Sequence, residues 1–150
     1  MIVSLHVASG ALVGALVGTR RRAVACGPLA HLLGDLLPHH DLPSRRFELA
    51  SGTAAVLLLA AARGPADPAV VGSVCAAFPD VEHVLRLPRP GGKKLFPSHR
   101  FRGWHRSGGV SVPAQLVAAG ILLGALTASG LRLQGAVGRR SSSSSPPSAM

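Results

Sequence analysis

Between residues 10 and 18 the chain reads GALVGALVG, a glycine at every fourth position. Positions four apart stack on one face of a helix, so Gly10, Gly14 and Gly18 form a stripe with no side chains to hold a neighbour away. Stripes of this kind let two helix backbones approach closely, in lipid especially. A helix over about Val3 to Gly18 is therefore expected to press against another helix along that face. His6, four residues before Gly10, heads the same stripe and should face the packed neighbour, away from lipid.

A partner is suggested further on. Val110 to Leu131 is an uninterrupted apolar run of about 20 residues, the length needed to cross a bilayer, and its Gly120, Gly124 and Ala128 make a second small stripe suited to helix one. Other helix signals lie between. Arg20 to Arg22 suit the negative end of helix one, Gly27-Pro28 opens a helix of about ten residues and Pro38 ends it. Ser44 is placed to cap a helix that stops at Gly64. Asp67-Pro68 opens another, Phe78-Pro79 closes it, and a short helical turn follows Asp80.

The stretch 87–109 is basic and rich in Pro and Gly, with little periodicity, and loops of that length are usually functional or disordered. Residues 137–150, VGRRSSSSSPPSAM, cannot bury apolar surface and are expected to be disordered. The fold expected is all-α: a membrane-associated bundle of four to six helices over residues 1–136, with that basic loop and a disordered tail. In it, glycine-striped helices one and five pack on helix two.

Composition supports a membrane setting. Hydrophobic residues make up 47% of the chain and the mean hydropathy is +0.36, although aromatics, at 3%, are too few for an aromatic belt. The formal charge of +10 is gathered in Arg20 to Arg22, Arg45-Arg46, Arg86 to Arg106 and Arg139-Arg140, each beside an apolar segment. That placement suits lipid headgroups better than nucleic acid, because the basic residues have Trp104 as their one aromatic platform and show no recognition motif. The arginines follow the first apolar run, so it reads as a retained helix and not as a signal peptide. A multi-pass membrane protein is the expectation, with membrane lipid as its first partner. Cys26 and Cys75, in Ala and Val surroundings, read as small buried hydrophobes.

Against this apolar background the ionisable groups are clustered. Of thirteen His, Asp and Glu residues, eight fall within 31–41 and 80–83. His31 and Asp35, four apart, share one helical face, and His39, His40 and Asp41 follow the turn after Pro38. FPDVEH supplies Asp80, Glu82 and His83, and the loop supplies His99 and His105. Imidazole and carboxylate are good ligands for zinc, with manganese or iron also accommodated. His6, His31, Asp35, His40, Asp41, Asp80 and His83 are therefore the candidate metal ligands, and His99 or His105 a ligand or acid/base. Arg100, Arg102 and Arg106 are candidates to clamp an anionic substrate. A divalent metal beside basic residues points to hydrolysis of a phosphoester, and among greasy helices to a lipid phosphoester.

Blander explanations compete at single positions. Asp80 after Pro79 also suits a helix cap, Asp41-Leu-Pro-Ser also suits a turn, and His31 with Asp35 also suits a buried hydrogen-bonded pair. One of His39 and His40 must point to solvent. The reading that competes with an enzyme is a non-catalytic multi-pass membrane protein whose His/Asp pairs fix helix packing.

The motif HLLGD resembles the His-x-x-Gly-Asp helix of the zinc-dependent phospholipase C and single-strand nuclease superfamily. That resemblance implies metal binding by His31, Asp35 and a histidine after Pro38, His40 or His39. The order of His6, GDLLPHHD and HRFRGWHRS is also similar to the small bacterial inner-membrane-associated hydrolases of the LexA-binding type. In those the middle motif usually reads Leu-Leu-Pro-Asp-x-Asp, so His39 stands here where the first Asp would be and Asp41 is the second. The later motif, Arg-Gly-x-Thr-His-Ser, is matched with His105 one place early. The resemblance covers residues 1 to 110 and implies a helical fold, membrane association and metal-dependent hydrolysis.

Overall fold

The structure, a computed structural model, describes residues 1–143 apart from Arg86 and Arg102, with side chains described to Leu133. The expected tail lies, from residue 144, outside the described residues. Five helices of ten or more residues and two single-turn helices make an all-α architecture, without strands among the described residues.

Helix α1 spans Val3–Val17 and ends where Gly18, at φ 69°, returns its N–H to Gly14 O. A left-handed residue there is cheapest as glycine, so the third glycine of the stripe terminates the helix and takes no part in packing. Thr19 then caps α2, Arg20–Leu36, by accepting from Arg22 N. Arg20 to Arg22 are thus the first turn of α2, not the end of α1. Helix α2 also begins well before Gly27-Pro28, and Pro28 sits inside it. An interior proline costs about 3 kcal/mol when its ring and the orphaned carbonyl are confined. Here both Pro28 and Val24, whose carbonyl loses its partner, are on the exposed side, while Gly27 on the other side closes onto Cys75 and Ala76.

The next two helices follow their capping signals. Ser44 accepts from Phe47 N to begin α3, Arg45–Arg63, and Gly64 ends it at φ 88°. Asp67 accepts from Ala69 N ahead of Pro68 to begin α4, Pro68–Ala77. A 3-10 turn, Phe78–Asp80, leads into the single-turn α5, Val81–Val84; a second single turn, α6, spans Pro97–Arg100. Helix α7, Val112–Ser143, closes the chain.

Helix α1 is the hub, packed against α2, α3, α4 and α7. Its glycine face meets α4. A Cβ on Gly10 stands 2.5 Å from Gly72 O, and one on Gly14 stands 2.8 Å from the Pro68 carbonyl carbon. Gly72 answers on α4 by seating itself against Gly10 O. The expected pairing of α1 with the stripe of α7 is therefore corrected. Gly120 and Gly124 have no atom within 4 Å of a Cβ position, and with Ala128 they face outward. Helix α7 lies on α1 and α3 instead of α2, through Gln115, Ala119, Thr127 and Gly130. The core between these layers is Val7, Ala11, Ala55, Leu59, Ala69 and Val70.

One helix among the described residues is long and apolar enough to cross a membrane: α7 over Val112–Leu133, most of it exposed. Arg63 fastens α3 to it. The guanidinium donates to Asp67 Oδ1 at 3.1 Å, Ser129 Oγ at 2.9 Å and Leu126 O at 3.2 Å.

Candidate metal centre

Five segments converge at one end of the bundle. Helix α1 carries His6, α2 carries His31 and Asp35, the turn after α2 carries His39 and Asp41, the 3-10 turn and α5 carry Asp80, Glu82 and His83, and α6 with the loop after it carries His99 and His105. The loop is held in place by backbone bonds: His39 N donates to Arg106 O, Arg106 N to Asp35 O, and Val110 N to Pro38 O. Gly109, at φ 85°, lies directly on the Pro38 carbonyl, where a Cβ would collide with it.

His31, Asp35 and His99 form a closed triangle. His31 Nε2 is 3.0 Å from Asp35 Oδ2, His99 Nε2 is 3.4 Å from the same oxygen, and the two nitrogens are 3.4 Å apart. Donors held about 2.0–2.2 Å from one tetrahedral ion stand roughly 3.3–3.5 Å from each other, so these edges fit. Asp80 Oδ1 completes a fourth corner, 4.0 Å from His31 and 3.6 Å from His99, and His83 Nε2 approaches His99 Nε2 at 3.3 Å.

The hydrogen bonds on the far side of each ring decide what faces inward. His31 Nδ1 lies 2.8 Å from Ala76 O and His39 Nδ1 2.6 Å from Leu37 O. A carbonyl can only accept, so these nitrogens carry the proton. His99 Nδ1 likewise donates to Glu82 Oε1 at 2.6 Å. Where a ring is neutral, its Nε2 is then a bare lone pair aimed at carboxylate oxygens and at the neighbouring rings. Such a set repels itself unless a proton or a metal cation joins it. Buried atoms without a hydrogen-bond partner lie here too: Asp35 Oδ2, Asp80 Oδ2, His6 Nδ1 and His105 Nδ1. Ligand donation through Nε2 with Nδ1 fixed by an outer acceptor is the usual arrangement at metal sites, and the residues present fit a divalent ion.

The electrostatics agree. Burial pulls His6 down to about 3, against its contact with Asp35, and takes His83 to about 4, helped by His99 and Lys94. Burial also lowers His39. These imidazoles are neutral at pH 7. Burial by itself raises the Asp35 carboxyl, but contacts with His105, His31, His6 and His99 outweigh it and hold the group well below the usual carboxylate range. Asp80 is raised by burial, with Asp35 adding to the rise. The Asp35 contact raises His105.

Candidate ligands sort accordingly. Four groupings have ligand atoms within 4.8 Å of one another: His6 with His31 and Asp80, His31 with Asp35 and His99, Asp35 with His39 and His105, and Asp80 with His83 and His99. His40 is corrected. It is exposed, and His39, 2% exposed, is the histidine that enters the cluster. Both backbones are tied to the same segment, His39 N to Arg106 O and His40 N to Val110 O, and of the two side chains only that of His39 is buried. Asp41 stays at the rim, 57% exposed, 3.1 Å from His39 and 3.0 Å from His105. The Met1 ammonium donates to Asp35 Oδ1 at 3.1 Å and also touches His39 Nε2, which balances charge on the side of Asp35 away from the triangle.

A cavity of about 980 Å³ opens beside the cluster. His83, His99, His105, Asp80 and Asp41 line one part; Val3, Val7, Val56, Leu57, Val74 and Phe78 line another. Of the expected anion-binding residues, Arg100 lines it, Arg106 is exposed without lining it, and Arg102 lies outside the described residues. Arg45 and Lys94 line it too, the Lys94 ammonium 3.1 Å from His83 Nδ1. Sequence spacing had no way to single out these two, or to pair Glu82, already grouped there with Asp80 and His83, with His99, 17 residues away through a loop.

Compared with protein-family models, curated proteins and solved structures, the chain matches none.

Proposed function

We propose that this chain is a membrane-associated, metal-dependent hydrolase acting on an anionic phosphoester, preferably a lipid phosphoester. The observation that carries the reading is the triangle of His31, Asp35 and His99, whose Nε2 and carboxylate atoms are spaced for one divalent ion. Zinc suits these donors best, and manganese or iron are accommodated. The resemblance of HLLGD and GDLLPHHD to zinc-dependent phospholipase C and to LexA-binding-type hydrolases points the same way.

An ion bound there supplies Lewis acidity, polarising a phosphoryl oxygen and making water a stronger nucleophile near neutral pH. The chain's own residues do the rest. Arg45, Lys94 and Arg100 attract the anionic group to the cavity. His105, 33% exposed, 3.0 Å from Asp41 and 3.7 Å from Asp35 Oδ1, stands at the edge of the triangle and is suited to passing a proton between cavity and solvent. The apolar part of the cavity suits an acyl chain. The exposed α7, together with exposed Leu29, Leu33, Leu57 and Leu58 on α2 and α3, supports a lipid setting, for which the bacterial inner membrane is our reading.

The test is elemental analysis by inductively coupled plasma mass spectrometry on the full chain, purified in mild detergent without a polyhistidine tag. About one or more zinc, manganese or iron per chain, lost in His31→Ala and in Asp35→Ala, supports the reading. Phosphoester turnover, in vesicles and with soluble diesters, is then measured on the loaded protein. A wild type that takes up no ion even after loading sinks it, and a packing role for the His/Asp pairs becomes the better account.

A further inference from the structure

Glu82 belongs to no expected ligand set, yet it is a carboxylate only 3% exposed. Burying such a charge is costly unless each oxygen is satisfied, and both are. Oε1 accepts from His99 Nδ1 at 2.6 Å and Oε2 accepts from Leu95 N at 2.8 Å. Both partners lie on the one segment that carries α6. The Glu82 carboxyl accordingly sits below its usual value, these two bonds outweighing the effect of burial.

We propose that Glu82 is the positioning residue of the centre: it fixes His99 in the tautomer and orientation that turn Nε2 toward Asp35, Asp80 and His31. The inference rests on the metal reading above but names a residue that reading does not need. A charged acceptor is stronger than the carbonyls that orient His31 and His39, and an outer carboxylate also makes the ligating nitrogen more basic. The grip is double. By holding Leu95 N, Glu82 stops α6 from swinging away, and the preceding Lys94 is kept against His83.

The experiment compares wild type, Glu82→Ala and Glu82→Gln as full chains in mild detergent, helix content being checked by circular dichroism. Zinc affinity is read by competition with a chromogenic chelator, and the His99 tautomer by imidazole nitrogen NMR on metal-free, histidine-labelled protein, with His99→Ala for assignment. Expected are a roughly 10–100-fold weaker zinc affinity in Glu82→Ala, partial recovery in Glu82→Gln, which keeps one acceptor, and an Nδ1-protonated His99 in wild type that is lost in Glu82→Ala. Unchanged affinity and tautomer overturn the proposal. Faster trypsin cleavage after Lys93 and Lys94 with both readouts unchanged also overturns it, by reducing Glu82 to a loop anchor. A wild type without affinity for zinc defeats the hydrolase reading instead, and the tautomer alone then decides whether Glu82 holds His99.

Discussion

Replacing Gly14 with alanine tests the contact on which the bundle turns. The added methyl would stand 2.8 Å from the Pro68 carbonyl carbon and 3.0 Å from Ala69 Cα, with Pro68 O closer still. Carbon atoms at rest are about 3.5–4.0 Å apart, so α1 and α4 must separate by roughly 0.5–1 Å. No side chain can rotate to absorb the clash, because all three neighbours are backbone in the first turn of α4. Overpacking of this kind costs typically about 1–3 kcal/mol, and the absence of a flexible neighbour puts Gly14 at the upper end. Alanine regains roughly 1 kcal/mol of helix propensity. The net loss is about 2 kcal/mol, which for a chain of this size lowers Tm by about 4–8 °C. Thermal unfolding in mild detergent, followed by far-ultraviolet circular dichroism, measures it. Gly120→Ala is the control, since nothing lies within 4 Å of its Cβ position, and its Tm should hold or rise. Zinc affinity should fall in Gly14→Ala as well, because α1 carries His6 and α4 runs into Asp80. A Gly14→Ala protein as stable as wild type, or a Gly120→Ala protein equally damaged, refutes the close approach of α1 and α4.

Other expectations are independent of that one. His39→Ala should weaken zinc binding while His40→Ala leaves it unchanged, as read by chelator competition. Chelating the ion should lower Tm by about 5–10 °C when the ion stood at roughly 100 times its Kd, a linkage of about 2.7 kcal/mol. Asp67→Ala removes the cap of α4 and the partner of Arg63; chemical denaturation should show a loss of at least about 1 kcal/mol. Glu48 accepts from Val3 N, and its folded-state carboxyl is raised, chiefly by burial. The folded protein therefore binds that proton more tightly than the unfolded chain, a contribution fully present below pH 4.5 and lost as pH rises through the raised value. Glu48→Gln should accordingly raise Tm at pH 7.5 and change nothing at pH 4; a gap that widens toward acid contradicts the sign.

Much of the helical framework was legible because its signals are local. Ser44 and Asp67 accept from backbone N–H groups two or three residues on, and Gly64 supplies a stop at positive φ. Thr19, an equally local cap, is outshone in sequence by Gly27-Pro28; α2 starts at that cap with Arg20 to Arg22 exposed, and its packing against α1 and α4 carries it on through Pro28. The pairing of His31 with Asp35 was also legible, since four residues along a helix fix their common face.

The sequence by itself determined an all-α chain with one bilayer-length apolar helix, a close-packing glycine face on α1, and histidines and carboxylates gathered in two short windows. Periodicity, caps and composition are properties of neighbouring residues, and they survive without knowledge of the fold. Tertiary structure alone decided that the glycine face meets α4 and not α7, that His39 enters the centre in place of His40, and that Glu82 holds His99. Each of those choices depends on which backbone groups distant segments offer one another across the bundle. A helix face can advertise that it needs a partner, but only the packed whole selects one.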